Sequence, residues 1–205
     1  AVSINRRVLM PLEGIAYHKL ESAAMDQSRA CSEYIKSRHK DPNKIIIEIN
    51  GIVELLLFKP DTSNVFEESF KELAKFIGFN SQRPELDFKK GPDVLWETGE
   101  LNYFVIECKN GATTETINKH DCNQLNGSAM WFENKYDNTC RYTPIIIHPS
   151  SVFEHAASPH KNTRIVNADC LDKLKNNIVA FIKAICVDNN IQSVEKIREL
   201  LIYYK

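Results

Sequence analysis

Three ionisable residues in the middle of the chain, Asp93, Glu107 and Lys109, stand in or beside short apolar runs. Residues 103–109 are rich in β-branched and aromatic side chains, which predicts a strand. Because side chains alternate along a strand, Glu107 and Lys109 point one way and Cys108 points into the opposite layer. Charges on so apolar a strand are costly without partners, and Asp93 on the neighbouring strand is a natural companion. Two carboxylates beside one lysine suit a hard divalent cation, with the lysine at a developing negative charge.

The elements that must position these residues follow from hydrophobic periodicity. Residues 93–96 and 103–109 predict an antiparallel pair joined by the polar turn 97–100. Apolar residues at the helical period predict a helix over residues 66–78, with Gly78 at its C-terminal end. Further helices are predicted over 116–136, from a cap at Asp169, and from Ser193 to near Tyr204, and further strands over 143–148 and 164–166. The order from residue 66 predicts a mixed α/β core.

Residues 1–60 differ from the rest and predict a mainly helical N-terminal extension, leaving residues 61–205 as the main domain. An amphipathic helix is predicted from about Pro11 to Arg38, ended by Asp41-Pro42. Residues 45–58 fit either a hairpin at Asn50-Gly51 or a buried helix. We favour the helix, because a hairpin would leave apolar side chains on both of its faces.

Composition excludes several classes of protein. The 205 residues carry 26 Lys and Arg against 27 Asp and Glu, so a polybasic nucleic-acid binder is not indicated. The six cysteines form no CxxC pair, which argues against a zinc ribbon and predicts reduced, mostly buried thiols. No stretch approaches the roughly 20 apolar residues of a membrane span. We therefore expect no membrane partner and a cytoplasmic location.

Pro92-Asp93 followed by Glu107-Cys108-Lys109 resembles the motif of the PD-(D/E)xK nuclease superfamily, which has the restriction-endonuclease-like fold. A helix that ends in Gly78-Phe79 precedes the motif, and a helix with Gln124 follows it. The wider run of residues 79–96 and 124–132 is similar to the nuclease-type region attached to some bacterial DEAD/DEAH-type helicases. The resemblance covers residues 64–150 well, residues 150–188 loosely and residues 1–60 hardly at all.

The resemblance implies a restriction-endonuclease-like core, a mixed central sheet flanked by helices, and a Mg²⁺-dependent deoxyribonuclease for which Mn²⁺ is the alternative ion. Asp93, Glu107 and the backbone carbonyl of Cys108 would ligate the metal, with Glu67 as a direct or water-mediated ligand. Lys109 would orient or deprotonate the attacking water. DNA is the implied partner, a helicase or ATPase region would lie outside this chain, and we also consider a homodimer.

Two assignments within this site depend on helical register. Glu68 and Glu72 are neighbours that a one-residue error would exchange for Glu67. Gln124 matches a glutamine that helps to orient the site or the DNA in several branches of the superfamily. Asp121, Gln124, Ser128 and Trp131 share one helical face, which predicts that their helix borders the site.

Alternative interpretations of these residues stay open. Asp93, Glu107 and Lys109 could form a structural ion-pair cluster, or belong to a catalytically inactive nuclease-fold domain that binds DNA or serves assembly. An RNA-directed nuclease is a further alternative. His148, His155 and Cys170 match no zinc spacing. Several basic residues could contact phosphates or simply form a solvated surface, namely Lys89, Lys90, Lys119, Lys135, Arg141, Lys161 and Arg164.

Overall fold

The structure, a computed structural model, describes residues 16–21 and 26–204. The helices are α1 (Gln27–Arg38), α2 (Pro42–Glu54), α3 (Ser63–Phe76), α4 (Pro84–Phe88), α5 (Lys119–Lys135), α6 (Ala168–Cys186) and α7 (Val194–Tyr203), with a 3-10 helix at Val187–Gln192. The strands are β1 (Asn80–Gln82), β2 (Val94–Gly99), β3 (Asn102–Cys108), β4 (Arg141–Ile147) and β5 (Arg164–Val166).

Within these residues five strands form one mixed sheet in the order β1-β2-β3-β4-β5. β2 pairs antiparallel with both β1 and β3, whereas β4 pairs parallel with both β3 and β5. The parallel connection from β3 to β4 passes through α5, as such crossovers require. The prediction of a mixed α/β core is therefore confirmed.

The two faces of the sheet are covered by different helices. Trp96 and Ile106 belong to the larger apolar core, which they share with residues of α1, α2, α3, α6 and α7. Leu95 and Val105, one residue away on the same strands, pack with Phe132 of α5 on the other face. This alternation follows from the two-residue period of strand side chains. It means that α5 alone among these helices covers the face towards which Glu107 points.

The helix α2 confirms the preferred interpretation of residues 45–54, whereas residues 55–58 lie beyond its end and are not helical. The Asp41 carboxylate accepts a hydrogen bond from the Asn43 backbone N–H, and Pro42 occupies the first turn, both common at helix starts. Ile45, Ile49 and Val53 repeat every four residues and are buried. They lie in the same core as α3 and the sheet. The domain boundary at residue 60 itself stays a prediction.

Two local predictions were wrong, and two short elements were missed. The first helix begins at Gln27 rather than Pro11, because the Asp26 carboxylate caps it by accepting from the N–H groups of Ser28 and Arg29. Residues 16–21 are not helical, and residues 11–15 and 22–25 lie outside the described residues. The cap of α6 is Asn167, not Asp169. Strand β1 and the short helix α4 were not predicted, since both are too short to establish a hydrophobic period.

Residues 16–21 instead form a strap, by which we mean this non-helical segment laid over β1, β3 and α5. The Tyr17 hydroxyl donates to Gln82 Oε1 at 3.0 Å and lies 2.6 Å from the Tyr136 hydroxyl. Tyr103 donates its hydroxyl to the Leu20 carbonyl at 3.0 Å. The Tyr17 ring packs edge-on against Trp131 of α5, with centroids 4.7 Å apart. The strap thus ties the sheet edge to α5.

The helix α1 is joined to the C-terminal helical segment, which comprises the 3-10 helix and α7, by two contacts. Ser32 of α1 donates its hydroxyl to the Ile191 carbonyl at 2.8 Å, and both residues are buried. Arg198 of α7 lies 3.3 Å from the Asp26 carboxylate. The core on this side is therefore complete only when α1 and α7 are both in place.

Gly78 follows α3 and packs against the backbone at the N-terminus of α1. Its φ is +80°, and a Cβ there would lie 2.0 Å from the Gln27 backbone oxygen. We expect Gly78→Ala to lower the free energy of unfolding by about 2 kcal/mol or more, because strain and a backbone clash add. Gly127→Ala is the control: Gly127 lies in α5 with nothing within 4 Å of that added Cβ. It should gain stability by about 0.5–1 kcal/mol in urea unfolding. Equal stability of both variants would contradict the account.

Among the described residues, no helix combines the length and the apolar character needed to cross a bilayer.

Candidate active site

Asp93, Glu107 and Lys109 meet where β2 begins and β3 ends. The antiparallel register pairs Val94 with Ile106, and Asp93 and Glu107 are the adjoining residues of the two chain segments. Lys109 follows β3 directly, and its backbone N–H donates to the Ile147 carbonyl of β4 at 2.8 Å. The Cys108 side chain lies in the larger core, on the opposite side of the strand from Glu107. The predicted division of side chains between the two faces of β3 is confirmed.

The three charged groups form one buried cluster. Lys109 Nζ lies 3.1 Å from Glu107 Oε2 and 3.9 Å from Asp93 Oδ2. The backbone N–H of Cys108 donates to Asp93 Oδ2 at 2.7 Å, which fixes the Asp93 carboxylate against the end of β3. Only 6% of Asp93 and 4% of Glu107 is exposed. Water therefore screens these charges weakly, and each strongly affects the others.

Glu107 has a second partner on α5. Ser128 donates its hydroxyl to Glu107 Oε1 at 2.6 Å, and Ser128 is itself buried. Asp121, seven residues earlier on the same helix, lines the cleft in front of Lys109. The predicted placement of this helix at the border of the site is confirmed. Gln124, between them on α5, has an exposed side chain, and its role stays a prediction.

Of the three candidate acids on α3, Glu67 is the one that faces the cleft. Its carboxylate pairs with Arg83, which is only 4% exposed. Arg83 Nη1 also donates to Asn64 Oδ1 at 2.9 Å and lies 3.2 Å from Glu68 Oε2. Glu72 turns away, where it pairs with Lys75 and accepts from Tyr34. Helical register thus selects Glu67, as predicted.

Glu85 is a site residue that sequence reasoning missed. It lies in the first turn of α4, and its backbone N–H donates to the Pro92 carbonyl at 3.2 Å. That bond folds the segment back, so that the Glu85 carboxyl hydrogen-bonds to Asp93. Neither residue type nor spacing predicts this contact, because it depends on a one-turn helix and on the loop around Gly91. Arg83 was missed for the same reason.

A polar cleft of about 540 Å³ opens in front of these residues. One wall comes from the start of α3 and the loop before it, and the other from the loop between β3 and α5. Asn110 joins the two walls by donating to Thr62 Oγ1 at 2.9 Å. Lys109 is the one Lys or Arg among the described residues that line the cleft. The seven basic residues proposed as phosphate contacts are exposed but lie elsewhere.

The chain matches no protein-family model, no curated protein and no solved structure.

Burial and neighbouring charges shift the pKa values of the ionisable groups in this cluster. Burial, and then the negative charge of Asp93, raise the pKa of Glu107 to about 7. The hydrogen bond to Asp93, followed by burial, raises the pKa of Glu85 to about 7. Burial also raises the pKa of Glu67, with Asp93 adding to the effect and Arg83 opposing it. Burial opposes the charge on Lys109, but Glu107 and Asp93 outweigh it and raise its pKa. The cluster thus has too little positive charge for its carboxylates.

This shortage of positive charge predicts an unusual dependence of stability on pH. Glu107 titrates near pH 7 when folded and near pH 4.3 when unfolded. Between those values the folded chain holds a proton that the unfolded chain releases. The free energy of unfolding should therefore fall as the pH rises, by at most about 1.4 kcal/mol per pH unit for each such carboxyl.

Urea unfolding at pH 5, 6 and 7 without divalent ions measures this slope, and Glu107→Gln should flatten it. An unchanged slope in that variant would contradict the assignment of the titration to Glu107.

The residues present fit a hard divalent cation. No three His, Cys, Asp or Glu side chains in residues 16–21 and 26–204 converge to hold a metal ion by themselves. Mg²⁺, however, usually binds one or two carboxylates and keeps several waters, completing its shell with substrate phosphates. Asp93, which lines the cleft, and Glu107, which shares the Lys109 ammonium with it, are two such carboxylates, and a cation would relieve the crowding that raises the pKa of Glu107.

Proposed function

We propose that this chain is a metal-dependent nuclease domain that hydrolyses DNA phosphodiester bonds. The observation that carries the proposal is the ion-pair cluster at the cleft: Lys109 Nζ lies 3.1 Å from Glu107 Oε2 and 3.9 Å from Asp93 Oδ2, and Asp93 and Lys109 both line the cleft. A phosphodiester is already charged, and its hydrolysis builds further negative charge at the phosphate. A lysine beside two carboxylates that can hold a cation supplies the charges that this reaction needs.

Each residue then has a role that its surroundings support. Asp93 and Glu107, with the backbone carbonyl of Cys108, would hold Mg²⁺, and Glu67 would bind it directly or through water. When bound, the ion lowers the pKa of a coordinated water and neutralises phosphate charge. Because its two carboxylate neighbours raise its pKa, Lys109 would act as an ammonium ion that orients the attacking water and faces the phosphate, and not as the base that takes the proton. Arg83 keeps Glu67 turned to the cleft.

The architecture supports the finer fold assignment that we propose, a restriction-endonuclease-like core. An antiparallel hairpin carries the acids and the lysine, and a helix crossover leads from it to parallel strands. A helix with an acidic residue precedes the hairpin, and a helix with Ser128 follows it. A helicase or ATPase region elsewhere in the protein or complex, and a homodimer, stay predictions.

The test is cleavage of end-labelled single-stranded, double-stranded and flapped DNA, and of matched RNA, with Mg²⁺, Mn²⁺ or EDTA. We expect DNA cleavage that needs the divalent ion and is lost in Asp93→Ala. Cleavage of RNA alone would replace the substrate assignment. Binding of DNA without cleavage, equal in wild type and Asp93→Ala, would favour a catalytically inactive domain of the same fold.

A further inference from the structure

The two oxygens of the Glu107 carboxylate have different partners. Oε2 lies 3.1 Å from Lys109 Nζ, which in turn lies 3.9 Å from Asp93 Oδ2 and lines the cleft. Oε1 accepts the Ser128 hydroxyl at 2.6 Å on the side of α5. The carboxyl torsion of a glutamate is broad and roughly two-fold, so the side chain alone does not define where its oxygens point. These two contacts together define the orientation of Glu107.

Ser128 is well placed to be the fixed member of this pair. Its helix is capped by Asn118, whose side chain accepts from the Asp121 N–H and donates to the Asp121 carboxylate, both at 2.9 Å. Leu125, Ala129 and Phe132 on either side of Ser128 are buried against the sheet. A serine hydroxyl has a single proton to donate. The hydrogen bond to Glu107 Oε1 therefore comes from a rigid, packed helix. The hydrogen bond to Oε2 comes from the long and flexible side chain of Lys109.

We propose that Ser128 is a positioning residue that holds Glu107 Oε1 so that Oε2 stays directed at Asp93 and at a divalent cation in the cleft. This inference rests on the proposed function for the identity of the cation. Without the hydroxyl, Oε1 would be a buried acceptor with no partner, and the carboxylate would turn towards Lys109. Hydrogen-bond partners of metal-binding carboxylates typically contribute 10- to 100-fold in metal affinity.

The test compares wild type, Ser128→Ala, Ser128→Thr and Asn123→Ala. Asn123 is an exposed residue of the same helix, so its variant controls for changes in α5. Binding of Mn²⁺ alone to the free protein is titrated by electron paramagnetic resonance. The Mg²⁺ concentration for half-maximal DNA cleavage is measured in parallel, and urea unfolding checks that each variant is folded.

We expect Ser128→Ala to weaken Mn²⁺ binding at least about tenfold and to raise the half-maximal Mg²⁺ concentration by a similar factor. Asn123→Ala should match wild type. Ser128→Thr keeps the hydroxyl and should recover most of the affinity; if its added methyl group prevents folding, Ser128→Ala decides alone. A purely structural role would lower stability in urea and leave Mn²⁺ affinity unchanged.

The outcomes separate the two proposals. If wild type binds Mn²⁺ and cleaves DNA while Ser128→Ala binds Mn²⁺ equally well, the positioning role is overturned and the nuclease stands. If wild type binds Mn²⁺ with the expected dependence on Ser128 but cleaves no nucleic acid, the positioning role stands and the nuclease proposal fails. If wild type binds no Mn²⁺, both are overturned.

Discussion

Lys109→Met should reduce DNA cleavage by at least about a hundredfold while leaving the affinity for Mn²⁺ unchanged or higher. The reason lies in the position of the ammonium group between Glu107 and Asp93. Removing that charge leaves two buried carboxylates without their cation, which increases their attraction for a divalent ion. The same change removes the group that we propose to face the phosphate and the attacking water. Binding and cleavage should therefore change in opposite directions.

Measurement of this effect requires the two readouts on one protein sample. Mn²⁺ binding is titrated on the free variant, and single-turnover cleavage is followed at saturating Mn²⁺. Lys44→Met is a matched control, because Lys44 is exposed on α2, far along the chain from the hairpin. Parallel loss of Mn²⁺ affinity and cleavage in Lys109→Met would mean that Lys109 only holds the carboxylates in place.

Arg83→Leu should lower the free energy of unfolding by about 3–5 kcal/mol. Arg83 is buried and is the partner of Glu67, with further bonds to Glu68 and Asn64. Removing it leaves the Glu67 carboxylate partly buried and without its positively charged partner. Lys71→Met, which breaks the half-exposed pair with Glu68, should change stability by no more than about 1 kcal/mol.

The double variant Arg83→Leu/Glu67→Gln tests the cause. It removes both charges, so it should be more stable than Arg83→Leu alone. Urea unfolding at neutral pH compares wild type, Arg83→Leu, Glu67→Gln and the double variant. A double variant that loses the sum of both single effects would show that Arg83 stabilises the fold by packing, and not by compensating Glu67.

The central hairpin and its charged residues could be predicted because the information is local. Residues 103–109 combine strand composition with alternation, so the placement of Glu107 and Lys109 on one face follows from geometry. The helix α2 could be chosen over a hairpin for a similar reason: its isoleucines repeat at the helical period once Gly51 is accepted inside it. The order of the longer elements follows from the same two periods.

The surroundings of the hairpin could not be predicted, because they depend on contacts between distant residues. Ser128 was placed on the correct helical face, but its bond to Glu107 spans 21 residues and needs the crossover geometry. Arg83 and Glu85 reach the site through α4, which has a single turn. The strap around Tyr17 lies where periodicity favours a helix, and its partners are 65 and 119 residues away.

The pairing of α1 with the C-terminal helical segment affects how the chain folds during its synthesis. Ser32 finds its acceptor in Ile191, 159 residues later. The part of α1 that packs on the C-terminal segment must therefore wait, uncovered, while nearly the whole of the rest of this sequence is synthesised. Such long-range closure slows folding and prolongs the exposure of apolar surface that can aggregate. Nascent chains released before α7 emerges should accordingly be the aggregation-prone and chaperone-dependent species of this protein.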